Sequence, residues 1–284
     1  MEDFGLELEK KSKELNDEIR AKLSEAEKDV HAKKAFNDGI GLYRTGNYSG
    51  AIDKFDESLK LEAGNAAAYY MIGICWQMQQ DLEKAKQAFL NAISVDSNYV
   101  SAYVPLGNIA RRENDERSAL KYYHKAIELD PKQHKAHYGI GNVHFRAERY
   151  AQAEAAYRRA VEIKTDYADG WIYLGRALLA QNKRKAAIAA LKKGVAINKR
   201  SYLGFYVLAD AYNQSGQYKS ALAAAESSLK IRKNYAPAYH EKGIALMNLG
   251  RKKEAIAAFE KAKQDRAWQQ RADHYIKKLK GLIQ

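Results

Sequence analysis

Cysteine and proline are scarce in this chain of 284 residues. Cys75 is the single cysteine, so no disulfide can form within the chain, which fits a reducing compartment. The three prolines leave long stretches able to form helices. No apolar run is long enough to span a membrane, and the charged start of the chain does not resemble a signal peptide. These absences predict a cytoplasmic protein with no membrane span.

Motifs for catalysis are also missing. The sequence has no phosphate-binding glycine loop, nucleophile elbow or metalloprotease helix, and its Gly-x-Gly sequences at 39–41 and 139–141 lie inside predicted helices. His137 and His144 are two turns apart on one predicted helix, a spacing that a metal site can use. They occupy aromatic core positions, which favours packing. We predict no enzyme activity, no cofactor and no metal.

What the chain has instead is a strict sequence period, in which small residues recur every 34 positions. One column of small residues contains only alanine: Ala51, Ala85, Ala119, Ala153, Ala187, Ala221 and Ala255. A second column is glycine with one exception: Gly39, Gly73, Gly107, Gly141, Gly175, Ala209 and Gly243. A fixed period of this length indicates stacked structural repeats, and two small residues per repeat indicate two helices in close contact.

Each repeat reads as a helical hairpin. Within residues 134–167, apolar residues recur at spacings of three, four and seven on both sides of a break, as in paired amphipathic helices. In other repeats the break contains turn-forming residues, such as Thr45-Gly46-Asn47 and Ser215-Gly216-Gln217. A hairpin of this size cannot bury its own apolar face, so it must stack on its neighbours.

The pattern resembles the tetratricopeptide repeat family. The third repeat carries the family's residues most fully: Tyr103, Leu106-Gly107, Ala119, Tyr123, Ala126 and Pro131. The resemblance implies an all-α, right-handed α-solenoid of helix-turn-helix repeats, whose first helices line an inner surface that binds partners. It predicts seven repeats, numbered one to seven below: 32–65, 66–99, 100–133, 134–167, 168–201, 202–235 and 236–269.

Two segments flank the predicted repeats, 1–31 and 270–284. Leu15, Ile19, Leu23, Ala26 and Val30 share one face of an amphipathic helix. Capping of the first repeat is the favoured role of this helix, and coiled-coil dimerisation and insertion into a groove remain open. The C-terminal segment continues the first-helix pattern of an incomplete repeat, which predicts a capping helix.

Repeat six departs from the pattern in its core. It has Ala209 where the other repeats have glycine, and Ala225 where they have Phe, Tyr or Leu. We therefore expect looser packing between its two helices.

Charge is unevenly distributed along the sequence. Residues 1–133 carry 19 Lys and Arg against 23 Asp and Glu, whereas residues 134–284 carry 29 against 12. The basic excess is greatest in 168–201, where Lys192 and Lys193 fall on the second helix. A solvated helix face is the favoured interpretation, and binding of nucleic acid by this basic face remains an alternative.

Two columns of residues predict the binding surface. One column on the first helices is apolar or aromatic and recurs every 34 residues. Its candidate anchors are Phe36, Tyr70, Tyr138 and Tyr206, and its other members are Val104 and Ile172. Packing between neighbouring first helices is the alternative role of this column. A polar column lies one turn further on and contains Asn108, Asn142 and Arg176, with Arg112 and Arg146 a further turn along. Asparagine can both donate to and accept from an extended peptide, and arginine binds carboxylates.

The sequence therefore predicts a non-catalytic adaptor for protein–protein interaction. We expect its concave groove to hold an extended or helical segment of a partner protein, with an acidic character that suits the arginines. A self-assembling scaffold, joined through 1–31 or head to tail, and a nucleic-acid-binding solenoid are the alternatives.

Overall fold

Helices make up almost all of the chain in the computed structural model. The structure describes the backbone of residues 2–283, and side chains at Lys11, 13–18, Lys22 and 24–283. The chain divides into two compact bodies, Met1–Pro131 and Lys132–Gln284. The boundary falls near the end of predicted repeat three. Each body is a series of helical hairpins, and the all-α repeat fold predicted from the sequence is confirmed.

The N-terminal body alternates first and second helices, with turns of three residues inside each hairpin. Its helices are α1 Glu2–Arg44, α2 Tyr48–Leu61, α3 Ala66–Met78, α4 Leu82–Val95, α5 Val100–Arg112 and α6 Glu116–Leu129. The last part of α1, with α3 and α5, provides the first helices of the predicted repeats.

The C-terminal body continues the alternation. Its helices are α7 His134–Arg146, α8 Tyr150–Ile163, α9 Ala168–Ala180, α10 Arg184–Ile197, α11 Tyr202–Gln214, α12 Tyr218–Ile231, α13 Ala236–Asn248, α14 Lys252–Lys263 and α15 Gln269–Lys280. Here the first helices α9, α11 and α13 pack directly on one another in succession. No helix in the described part of the chain has both the length and the apolar composition needed to cross a membrane.

The turn inside each hairpin needs one residue with a positive φ angle. That residue recurs once in every repeat: Gly46, Gln80, Asn114, Glu148, Asn182, Gly216 and Gly250. A left-handed residue ends a helix by satisfying its last carbonyl groups, so these positions define where the first helix stops. Glycine adopts this conformation without strain, whereas a side chain such as that of Glu148 does so at a cost.

The two columns of small residues lie between the paired helices. A Cβ atom at Gly141 would be 2.5 Å from ring atoms of Tyr157, and one at Gly73 would be 2.5 Å from the Phe89 ring. The alanines of the other column, such as Ala153, have no exposed surface. Glycine is needed on the first helix because a large ring of the second helix occupies the space of its side chain.

Repeat six solves the same packing problem with two alanines. Ala209 and Ala225 are both completely buried. The Cβ of Ala209 adds volume on the first helix, at the position where the ring of the second helix is missing. The two substitutions can compensate for each other in volume, and looser packing of this hairpin stays a prediction.

The N-terminal segment is not a separate capping element. Helix α1 runs without a break from Glu2 to Arg44, so residue 31 lies inside it. Leu15 and Val30 are 58% and 64% exposed, although capping of the first repeat was expected to bury them. The continuous helix carries these residues along its own axis, and they do not fold back over the repeat. The side chains of Ile19 and Leu23, on the same predicted face, lie outside the described residues.

The last helix of the C-terminal body covers the end of the array. Ala272 and Ile276 of α15 are buried in a cluster with Phe259 of α14. Tyr275 stacks on Phe259, with ring centroids 5.0 Å apart and an angle of 7° between the planes. Helix α15 thus supplies the apolar cover that the second helix α14 requires.

Candidate functional site

We use "first-helix surface" for the side of the first helices that carries the two predicted columns. In the aromatic column, Phe36, Tyr70, Tyr138 and Tyr206 are all partly buried. Val104 and Ile172, in contrast, are 9% and 1% exposed and belong to the core. The column is therefore not a uniform row of exposed anchors, because both of its aliphatic members are buried in the core.

The packing partners of the aromatic column include rings of the same repeat. The ring of Phe36 lies 5.4 Å from that of Phe55, and the ring of Tyr138 lies 5.6 Å from that of Tyr157. We expected contacts between neighbouring first helices as the alternative to partner binding. Tyr138 has such a contact, since its ring also lies 5.4 Å from that of Tyr173 on the neighbouring first helix α9, so both kinds of packing occur in this column.

A double period, in which every second repeat is alike, appears in these contacts. Tyrosines that sequence reasoning missed pair with the column in alternate repeats, with ring centroids 5.3–5.6 Å apart: Tyr70 with Tyr99, Tyr138 with Tyr167, and Tyr206 with Tyr235. The spacing alone could have revealed them, since Tyr99, Tyr167 and Tyr235 follow one another at intervals of two repeats. Paired tyrosines give rigid amphipathic contact area at low entropic cost.

The asparagines of the polar column are fixed from the core. The hydroxyl of Tyr123 donates to Oδ1 of Asn108, and the hydroxyl of Tyr157 donates to Oδ1 of Asn142, both at 2.8 Å. We expected each asparagine both to donate and to accept toward a partner. Because the buried hydroxyl takes the carbonyl oxygen, the amide nitrogen is the atom that each one has to offer.

Asn142 also interacts with Tyr138 of the aromatic column. Burial raises the pKa of the Tyr138 phenol, and the nearby side chain of Asn142 opposes that shift only in part. The polar and aromatic columns are thus joined in one network, in which a buried ring, an amide and a surface tyrosine hold each other in place.

In the N-terminal body the polar column lines a small pocket. Asn108 and Arg112 lie in a cavity of about 320 Å³, together with Gln77, Arg111 and the start of α4. The cavity is large enough for a side chain of a partner but too small for most cofactors. The Arg111 guanidinium interacts with the hydroxyl of Tyr123, so cation, phenol and amide are adjacent here.

In the C-terminal body Arg176 replaces the asparagine. Its guanidinium lies over two aromatic rings, 4.9 Å from the centroid of Phe145 and 4.8 Å from that of Tyr173. Stacking on aromatic faces orients an arginine while its outer N–H groups remain able to donate. Arg146, one turn beyond Asn142, is exposed at the end of α7.

The next member of the polar column is acidic, and sequence reasoning missed it. Asp210 follows Arg176 by one repeat and is partly buried on α11. Burial raises the pKa of its carboxyl to about 6, and the charge of nearby Glu241 adds to the shift. Glu241 itself is buried and accepts hydrogen bonds from the Asn213 amide and the His240 ring at 2.9 and 3.0 Å.

Part of the basic excess lies on the second helices and at the residues that precede them, which we call the basic edge; it includes Lys183, Lys192 and Lys193. In the N-terminal body these helices are capped by the side chains of Asn47, Asp81 and Asp115. Those of the C-terminal body follow Arg149, Lys183, Gln217 and Arg251, none of which forms a side-chain cap. Lys183 is instead paired with Glu154 at 2.7 Å, and Lys193 lies 4.4 Å above the ring of Trp171. This basic edge is the surface on which the nucleic-acid alternative depends.

One member of the predicted histidine pair, His144, forms a contact with another side chain. Nε of Arg149 lies 3.0 Å from Nδ1 of the partly buried His144, a contact that joins α7 to the turn before α8. Among the described residues, no group of three histidine, cysteine or acidic side chains is arranged to hold a metal ion. Cys75 is buried, and burial raises the pKa of its thiol to about 11.

Three solved structures are similar to this chain in fold. YrrB, described as a TPR protein with an unusual peptide-binding site, is 24% identical; the match covers 68% of this chain and 99% of that one, with a TM-score of 0.58. MamA is 26% identical over 56% of this chain and 93% of its own, with a TM-score of 0.52. A tetratricopeptide repeat protein from Parabacteroides merdae is 15% identical over 88% and 99% of the two chains, with a TM-score of 0.61.

Family models agree with the hairpin structure along most of the chain. No curated protein sequence matches this chain. Models of the tetratricopeptide repeat match residues 37–98 and 104–168, 144–203, and 204–235 and 236–264. The chain therefore belongs to the tetratricopeptide repeat family.

Proposed function

We propose that this protein is a non-catalytic adaptor that binds segments of a partner protein on the first-helix surface. Proteins of the tetratricopeptide repeat family generally mediate protein–protein interaction, which supports a protein or peptide partner. The observation that carries the proposal is the pair of asparagines fixed by buried tyrosines. An amide held in place from the core loses little entropy when it donates to a partner.

The chemistry of the surface favours an acidic segment. The amide nitrogens of Asn108 and Asn142 donate to main-chain carbonyl groups whatever the partner's sequence. Arg112 and Arg146, one turn further on, are exposed and suit carboxylates. Each body presents this combination by itself, so each can bind a short segment.

Charge supports the same partner for the C-terminal body. Residues 132–284 carry 30 Lys and Arg against 12 Asp and Glu. Such an excess attracts acidic segments over a distance and speeds their association, most strongly at low salt. The paired rings of the aromatic column, which meet tilted or edge to face, add contact area that salt does not weaken.

The test is a selection of binding peptides from a random library on the immobilised full chain. Affinities of the selected peptides are then compared between wild type and two variants at low and high salt. Arg146→Glu should weaken binding by about 2–4 kcal/mol, because it removes a charge-assisted contact and adds repulsion. The matched control is the joint reversal of Lys192 and Lys193 to Glu on the second helix, which should leave peptide binding intact.

The same variants separate the two alternatives. If the lysine reversal abolishes binding of a single-stranded oligonucleotide while Arg146→Glu changes no peptide affinity, the basic edge is the working surface and the proposal is wrong. Light scattering of the full chain over a range of concentrations tests the self-assembling scaffold. Strong association that Arg146→Glu does not affect would favour the scaffold.

A further inference from the structure

Opposite charges lie side by side in the polar column of the C-terminal body. Arg176 and Asp210 occupy the same position of successive repeats, on the neighbouring helices α9 and α11. These two helices pack directly on each other, and α13 packs on α11 in turn. The column thus changes from amide to cation to carboxylate at Asn142, Arg176 and Asp210.

The two charges do not form an ion pair in the described part of the chain. Among the residues that the structure describes, neither Arg176 nor Asp210 has a charged partner within 4.0 Å. The guanidinium is stacked on rings of α7 and α9, and the Asp210 carboxylate accepts from Nε2 of Gln214 at 2.9 Å. Both groups therefore retain hydrogen-bonding capacity toward a ligand.

Tyr206 connects the two charges. Burial raises the pKa of its phenol, the charges of Glu241 and Asp210 raise it further, and the charge of Arg176 lowers it. All three charged groups therefore lie close enough to act on this one ring. The ring of Tyr235 is 5.5 Å from that of Tyr206 at an angle of 89°, so the two rings meet edge to face.

At the carboxylate end of this site the basic group is the His240 imidazole, which lies 3.0 Å from the carboxylate of Glu241. The groups that face Asp210 are Tyr206 and Gln214 on its own helix, and His240 and Glu241 on α13. Glu241 is already hydrogen-bonded to Asn213 and His240, and its negative charge repels that of Asp210. A partly buried carboxylate beside a second one gains most from an ammonium or guanidinium group supplied by a ligand.

We infer that the surface of α9, α11 and α13 selects a partner segment in which a carboxylate and a basic side chain are held about one helix spacing apart. This inference rests on the proposed function and refines it, because the segment must be of mixed charge at this place. Axes of packed helices are about 8–10 Å apart, and an extended chain advances about 3.3 Å per residue. Side chains of an extended segment alternate between its two faces, so an acidic and a basic residue that both face this surface are about two positions apart, and their long side chains cover the remaining distance.

The experiment uses four peptides as probes. Each is acetylated and amidated, and they share one backbone of glycine, serine and tyrosine. They differ at two positions about two residues apart, so that both side chains lie on one face of the extended peptide; these positions hold Glu and Lys, two Glu, two Lys or two Gln. Binding to the full chain is measured by calorimetry. Wild type should bind the mixed peptide about tenfold more tightly than either peptide of single charge.

Variants of the two charged residues should change which peptide charge the site prefers. Asp210→Lys should move the preference to the peptide with two Glu, and Arg176→Glu should move it to the peptide with two Lys. Lys219→Glu, at an exposed position of α12, makes the same change in net charge as Arg176→Glu and should leave the mixed peptide preferred. Melting curves show whether each variant is folded.

The outcomes separate this inference from the proposed function. If Asp210→Lys and Arg176→Glu are folded and keep the wild-type order of peptides, the inference is wrong. If wild type prefers two Glu and Arg146→Glu weakens that peptide, the proposed adaptor stands while the inference fails. If no probe binds and the random library yields no binder, the proposed function fails with it.

Discussion

Asn142 accepts a 2.8 Å hydrogen bond from the hydroxyl of Tyr157, so the core of repeat four determines how an amide is presented at the surface. The bond between Tyr123 and Asn108 repeats this arrangement in the other body. In the remaining repeats the ring position is Phe, Leu or Ala, and there the polar column holds Ile, Arg or Asp. Asparagine thus occurs in this column only where a buried hydroxyl can orient it.

Removal of this hydroxyl tests the coupling between core and surface. Tyr157→Phe keeps the ring that packs on Gly141 and deletes the donor to Asn142. We expect a loss of about 0.5–1.5 kcal/mol in stability, and weaker binding of the selected peptides because the amide can rotate. Chemical denaturation and calorimetry measure the two effects.

The control adds a hydroxyl where nothing can accept its hydrogen bond. Phe89→Tyr places the group opposite Ile74, so it should destabilise the hairpin without changing peptide affinity in the C-terminal body. If Tyr157→Phe affects neither stability nor affinity, the oriented asparagine is not part of a binding surface.

A single methyl group at Gly141 should disturb the hairpin from the opposite side. A Cβ there would lie 2.5 Å from the Tyr157 ring, so Gly141→Ala should cost about 1–3 kcal/mol through overpacking. Gly41→Ala is the matched control, since no atom lies within 4 Å of its Cβ position in helix α1. It should stabilise the chain by about 0.5–1 kcal/mol through helix propensity. Equal melting temperatures for the two variants would contradict the packing.

Repeat six offers a double-mutant cycle for the same contact. Ala225→Phe alone should clash with the Cβ of Ala209, and Ala209→Gly alone should leave a cavity. The double variant restores the glycine and ring found in other repeats, so its cost should be smaller than the sum by about 0.5–3 kcal/mol. Additive losses would show that the two residues do not compensate for each other.

Much of the fold was predictable because the strict sequence period fixes both helices of each hairpin and their contact. The column of Gly39 and its equivalents marks the packing face without any knowledge of the partner ring. The burial of Val104 and Ile172 was not predictable from their spacing, since tyrosines occupy the same column. Whether a residue in that column is covered depends on the ring beneath it and on the neighbouring repeat.

The candidate site was predictable only in part. The 34-residue spacing identified Asn108, Asn142 and Arg176. Asp210 occupies the next position of the same column, but its acidic side chain does not fit a pattern of amides and cations. The role of the N-terminal segment was not predictable for another reason. An apolar face that includes Leu15 and Val30 predicts a helix, yet it cannot tell whether that helix folds back or continues into the next one.

The raised pKa of Asp210 makes the stability of the C-terminal body depend on pH. Its carboxyl has a pKa of about 6 in the folded chain, above the value of about 4 in an unfolded one. The folded state therefore binds more protons between these values, and stability should fall as pH rises through this window, by about 1–3 kcal/mol. Asp273 acts in a different window, because Lys263 and Lys277 lower its pKa to about 2.

Asp210→Asn isolates this effect. The variant should be more stable than wild type at pH 7 and should lose the fall in stability between about pH 4 and pH 6. Denaturation at several pH values measures the change, and Asp166→Asn, at an exposed position, is the control that should leave the profile unaltered. A basic ligand at this site should have the same consequence, since a bound cation returns the carboxyl toward its ordinary pKa and releases a proton. If the wild-type and Asp210→Asn profiles coincide, the carboxylate is not held in the environment that the structure describes.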